Sequence, residues 1–205
     1  MIQRTTSVGL MGLPHFKTSR ASMELYEPIY KNLFTVEIAF PTMLGLSQAE
    51  SNLVIEGIKK VGGLNTNKVP DAGTSQNYKF ATRRFANSGP SETTLDVSFD
   101  FEVNLQGCET GRPNMYTIKN LRRWTDLIYD PLTGRQGLKS EYVADYVIIT
   151  LHDKALNPFW QWILYNVWPK TSIPAVDLDY MQKSDIYTIT GFTLACDYWD
   201  EIMLN

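Results

Sequence analysis

Residues 93–105 constrain the fold more than any other stretch. Leu95, Val97, Phe99, Phe101, Val103 and Leu105 share one parity; Asp96, Ser98, Asp100, Glu102 and Asn104 share the other. Alternation kept over eleven residues is the period of a strand with one face buried and one wet, and it dismisses a helix. Such a strand cannot hide its apolar face alone, so the rest of the chain must supply a sheet and a cover.

Other segments fit that demand. Phe34, Val36, Ile38 and Phe40 alternate with Thr35, Glu37 and Ala39 until Pro41 stops the strand. Further strands are expected at about 52–61, 142–151, 159–168 and 185–199, with a weak one near 77–85. In the last of these neither parity is cleanly polar, which predicts a strand covered on both sides. Ser47 and Glu50 fit a capping box, so a short helix is expected to start there. Over 115–129 the period changes: Ile118, Leu121, Trp124 and Ile128 recur at helical spacing, and Pro131 and Gly134 end the run. Residues 1–30 read as an arm, and residues 31–205 as one domain with a long polar loop at 64–91. The fold class is mainly β, a two-sheet sandwich or barrel with one flanking helix.

Composition narrows the function. A formal charge of −3 and a pI near 5.4 give no global pull toward nucleic acid or acidic membranes. The apolar patch from Val8 to Leu13 is too short for a signal-peptide core, and Val147-Ile148-Ile149 is far short of a membrane span. Cys108 and Cys196 lie far apart outside any CxxC pattern, so buried thiols are expected, not a disulfide framework. The two histidines, His15 and His152, make a zinc site improbable. Gly45-Leu46-Ser47-Gln48-Ala49 lacks the second glycine of a nucleophile elbow. Neither a P-loop nor GxGxxG is present. No enzyme, metal or cofactor is expected.

The order of parts carries a resemblance. Tyr30-Lys31-Asn32-Leu33-Phe34-Thr35-Val36-Glu37-Ile38 opens it. The helix Ile118 to Tyr129 leads into Tyr142 to Asp153, an aromatic strand ends in Trp168-Pro169-Lys170, and a closing strand holds Phe192 and Tyr198-Trp199. Over roughly residues 25–200 this resembles the tail tube family of contractile-tailed bacteriophages. It is similar, more distantly, to the haemolysin-coregulated tube protein of type VI secretion. The resemblance implies hexameric rings stacked into a hollow tube inside a contractile sheath, with baseplate and tail terminator proteins as further partners. DNA would pass through the lumen without specific binding, and no reaction would be catalysed. The place would be the virion tail, assembled in the host cytoplasm, with no membrane anchor. The arm and the 64–91 loop are longer than a minimal tube protein needs. A baseplate tube initiator and the tube subunit of another injection system therefore stay open.

With that resemblance, particular residues become candidates. Asp96, Ser98, Asp100, Glu102 and Asn104 are candidates for a lumen-facing wall whose acids would repel phosphate, though an ordinary solvent-facing strand reads the same way. Lys68, Lys79, Arg83 and Arg84, opposed only by Asp71, form a candidate ring-stacking loop; in the family, this loop and the arm bridge adjacent rings. Its complement would be the acidic stretch 177–201. Trp160, Trp162 and Trp168 are candidates for a subunit interface, where aromatics are enriched, against the plainer reading that they fill a sandwiched strand. The alternative outside assembly is a β-sandwich binding module using the aromatic strand. It would elute as a monomer or small oligomer.

Overall fold

A computed structural model describes residues 29–64, 75–85, 94–103, 115–174, 181 and 186–204. The main body is one six-stranded antiparallel sheet in the order β1-β6-β7-β8-β5-β2, curled into a nearly closed barrel. Its strands are β1 (Phe34–Ile38), β2 (Ile58–Gly62), β5 (Leu95–Glu102), β6 (Ala144–His152), β7 (Pro158–Pro169) and β8 (Thr188–Met203). A separate hairpin joins β3 (Ser75–Tyr78) to β4 (Ala81–Arg84). The expected mainly β class, barrel and single main helix are what the chain adopts.

β5 behaves as its alternation requires. Leu95, Val97, Phe99, Phe101 and Val103 are buried, while the opposite parity is exposed or half-buried. Phe99 and Phe101 lie 6.2 Å apart between ring centroids, and Phe101 meets Phe192 edge-on at 6.0 Å. These rings join Val147, Ile149, Trp162, Leu164 and Leu194 inside the barrel.

Curvature comes from irregular steps in the ladders. From Phe99 to Phe101, β5 advances two residues while β8 retreats three, from Phe192 to Ile189. The extra residue is absorbed beside Gly191, whose φ is +74°. A bulge of this kind flips the parity of the residues beyond it and sharpens the bend. Hence Ile189, Phe192, Leu194 and Cys196 all point inward. A second flip lies in β7, where Asn166 has φ +52° and both Leu164 and Val167 are buried. The mixed parities of the closing strand thus reflect these kinks as well as its central place between β7 and β5.

Two helices cover the barrel. α1 (Gln48–Glu56) starts at the expected capping box: the Ser47 hydroxyl accepts from Glu50 N–H, and Ser47 N–H donates to Glu50 Oε2 at 2.9 Å. The expected strand at 52–61 is corrected here. Residues through Glu56 stay helical, Gly57 ends the turn, and only Ile58–Gly62 pair with β5. The cap nucleates the helix locally and overrides the β-branched run Val54-Ile55.

α2 (Tyr116–Ile128) is the long helix expected at 115–129. Its buried face is Thr117, Asn120, Leu121 and Trp124. Trp124 meets Phe40 edge-on at 5.4 Å and donates from Nε1 to the Tyr142 carbonyl at 2.7 Å. Arg123 donates to the Leu44 carbonyl at 2.7 Å, which ties the helix to the turn before α1. A one-turn helix, α3 (Lys139–Tyr142), precedes β6 and shares only Tyr142 with the strand expected at about 142–151.

The hydrogen bonds from Ser47 hold the Glu50 carboxyl below its ordinary value of 4.5. The fold therefore favours the charged form. This contribution is full above that value and is lost as pH falls through the lowered folded one. Glu50→Gln should keep the cap geometry and flatten the stability curve below pH 4.5. Chemical denaturation at pH 3 and pH 6 measures it, and an unchanged slope would remove the charge from the account.

Candidate assembly surfaces

The polar face of β5 is not a bare acidic wall. Asp96 pairs with Lys170, Asp100 with Lys60 at 3.7 Å, and Glu102 with Lys59 at 2.9 Å. Lys59 and Lys60 come from β2, the sheet neighbour of β5, and Lys170 from the residue after β7, which lies beyond β8 in the sheet order. Asp100 also accepts from Gly191 N–H at 2.8 Å. Ser98 is half-buried among them. The expectation of a repelling acidic face is revised accordingly: three carboxylates face three ammonium groups. Pairs this exposed add little stability, typically under about 1 kcal/mol each, but they cancel the field the carboxylates alone would cast. Asn104 lies outside the described residues.

The β3–β4 hairpin pairs with no other strand of the described residues. Lys79 and Phe80 form its turn, Phe80 is 92% exposed, and the Lys79 Nζ sits 5.6 Å from the Phe80 ring centre. Thr82 donates to Asn77 at 2.9 Å across the strands. Arg83 stands opposite Gln76, and Arg84 opposite Ser75. A lone two-stranded hairpin is marginal in water, and an exposed Phe at its tip gains by being covered. The loop expected at 64–91 thus contains a built element bearing Lys79, Arg83 and Arg84. Lys68 lies outside the described residues.

The three tryptophans separate by burial. Trp162 is 4% exposed and belongs to the core, stacked on half-buried Trp160 at 4.7 Å. Its surface is already covered within the chain. Trp160 donates from Nε1 to Glu201 at 3.0 Å. Trp168 is half-buried, and Lys139, which also pairs with Asp197, lies 4.8 Å above its ring. Tyr165, one of the crowded aromatics of the same strand, gains an exposed partner on β8: it faces Tyr198 with ring centroids 5.9 Å apart. Only the strand register brings them together.

The reactive residues have structural partners. His152 binds Thr35 Oγ1 at 2.9 Å and the Leu156 carbonyl at 3.2 Å, pinning β1 to the β6–β7 turn. In that turn, Asn157 N–H holds the Asp153 carboxyl below its ordinary value. Cys196 is a buried thiol, while Cys108 and His15 lie outside the described residues. Among the described residues no group of His, Cys, Asp and Glu could hold a metal ion, and no helix is long and apolar enough to cross a membrane.

No protein-family model matches the sequence, and neither does any curated protein. Solved structures do match in fold. The tube-terminating cap of the anti-feeding prophage aligns with a TM-score of 0.53 at 14% identity, over 87% of this chain and 93% of its own. A chain of the sheath-tube complex of an extracellular contractile injection system, in the extended state, aligns at 0.51 and 15% identity, over 91% and 99%. The sheath/tube terminator of that system aligns at 0.52 and 14%, over 87% and 99%. The expected likeness to tube-associated proteins therefore holds at the level of fold.

Proposed function

We propose that this chain is a non-catalytic structural subunit of the tube of a contractile tail or contractile injection machine. One observation carries the reading. The fold of a tube-terminating cap, of a chain of a sheath-tube complex and of a sheath/tube terminator runs through nearly the whole of this chain and of theirs. In this reading six copies close a ring, rings stack into a hollow tube, and sheath, baseplate and terminator proteins bind around it.

The surfaces take their parts from the physics above. The face carrying Asp96, Ser98, Asp100 and Glu102 lines the channel, and its paired lysines make it a near-neutral wall along which a polyanion slides. The hairpin with Lys79, Phe80, Arg83 and Arg84 reaches the next ring, burying Phe80 and meeting acidic surface. Trp160, Trp168 and the Tyr165–Tyr198 pair cover the lateral contact.

Negative-stain microscopy of the purified chain tests this directly. Rings or tubes are expected; a lone particle at high concentration would sink it. Arg83→Glu with Arg84→Glu should shorten tubes most at low salt, where the reversed charges repel the acidic surface hardest. Normal length at every salt concentration would remove the hairpin from stacking. Terminators are among the matched folds, which favours a second reading in which the chain ends a tube. Rings that never extend alone would select it.

A further inference from the structure

The outer face of β1, β6, β7 and β8 has a one-sided chemistry. These four strands contain no lysine and no arginine. Their inward parity is core, with Val147, Ile149, Leu164 and Trp199 buried. On the outward parity, strand register sets Glu37, Ile148, Ile163 and Asp200 in one row across all four strands. Tyr146, Tyr165 and Tyr198 make the row beside it. The Tyr146 hydroxyl donates to Glu37 Oε1 at 3.1 Å, which holds that carboxylate on this face. Tyr165 and Tyr198 are 37% and 46% exposed, and the two isoleucines are half-buried. The patch is thus aromatic and aliphatic, with a carboxylate at each end. Tyrosine rings beside carboxylates attract guanidinium and ammonium groups, through the ring faces as well as the charges.

We propose that this face receives α2 of a second copy of the chain, so that copies join head to tail. This contact presupposes the tube reading and supplies the other side of its lateral interface. α2 turns Thr117, Asn120, Leu121 and Trp124 inward. Its outward residues include Lys119, Arg122 and Arg123, which outweigh Asp126, the one carboxylate of the helix. Lys119 and Arg122 are three positions apart and therefore share a side. Their apolar stems can lie on Ile148, Ile163 and the tyrosine rings while the charged heads reach Glu37 and Asp200. The sizes agree. Four strands span about 14 Å, and a helix of 13 residues about 20 Å, so α2 crosses the whole patch. The β3–β4 hairpin is also basic, but a lone hairpin is marginal in water. α2 is fixed to its own barrel through Trp124 and Arg123 and meets a neighbour already ordered, which lowers the cost of binding. Each copy gives a helix and receives one, and such a heterologous contact closes into a ring.

The test mixes two charge-reversed full chains. One carries Lys119→Glu and Arg122→Glu, the other Glu37→Lys and Asp200→Lys. Each alone sets like charges against like and should weaken the contact about a hundredfold at low salt, leaving no rings by negative-stain microscopy. An equimolar mixture should form rings again, because every altered surface then meets an altered one of opposite sign on the other chain. Rings from either chain alone would overturn the contact and leave the tube reading standing, as would none from the mixture when both chains keep the wild-type urea midpoint. A second readout keeps the native charges of the patch. An Arg122→Cys chain mixed with a Tyr198→Cys chain and a short bis-maleimide should give a dimer whose linked peptides join the two new cysteines. Its absence, beside rings in the untreated mixture, would overturn the contact. A wild-type chain that stays single at high concentration would overturn both the contact and the tube reading.

Discussion

Trp124→Ala should destabilise the protein by about 4 kcal/mol, the range for removing a buried aromatic. The ring is 1% exposed and packs against Phe40, so its loss leaves a cavity where α2 meets the barrel. It also strands the Tyr142 carbonyl, which loses its donor. With a urea slope near 2 kcal/mol per molar, the midpoint should fall by about 2 M. Trp124→Phe separates the two causes. It keeps most of the packing but not the N–H, and should cost about 1–3 kcal/mol. A midpoint shift below about 0.3 M for the alanine variant would mean that α2 is not anchored through this ring.

Gly191→Val should cost about 2–3 kcal/mol by a different route. Nothing lies within 4 Å of where a Cβ would stand, so the first added carbon meets no crowding. The main effect is backbone: φ is +74°, a region a β-branched residue resists strongly. Relief would require undoing the bulge. A one-residue slip would then turn either Ile189 or Phe192 outward. The hydrogen bond to Asp100 would be lost as well. Gly191→Ala should cost less, about 1–2 kcal/mol. Thermal unfolding of the two variants checks this order, and equal stability of valine and wild type would refute the bulge account. Because Gly191 shapes the β5–β8 face, the variant should also assemble poorly under the proposed function.

Much of the architecture was legible because local signals agreed with the global pattern. The inward set of β5 follows from alternation alone, the start of α1 from Ser47 and Glu50, and the span of α2 from its 3.6-residue stripe and the proline beyond it. Where reading failed, two signals competed. Val54, Ile55 and Ile58 look like strand residues, yet the capped helix upstream carries the chain to Gly57 before pairing can begin. Parity in the closing strand could not be followed across Gly191, since a bulge leaves no mark on residue type beyond a glycine.

The candidate surfaces divide in the same way. Periodicity and charge are local properties, and from them alone follow the β class, the wet face of β5, the helix stripe and the basic character of the 79–84 segment. That Asp96, Asp100 and Glu102 each face a lysine, that Trp162 is core while Trp160 keeps an open side, and that Tyr165 meets Tyr198 came from the folded arrangement. Those pairings join residues far apart in the chain, and the register that brings them together depends on bulges and sheet order that no single segment encodes.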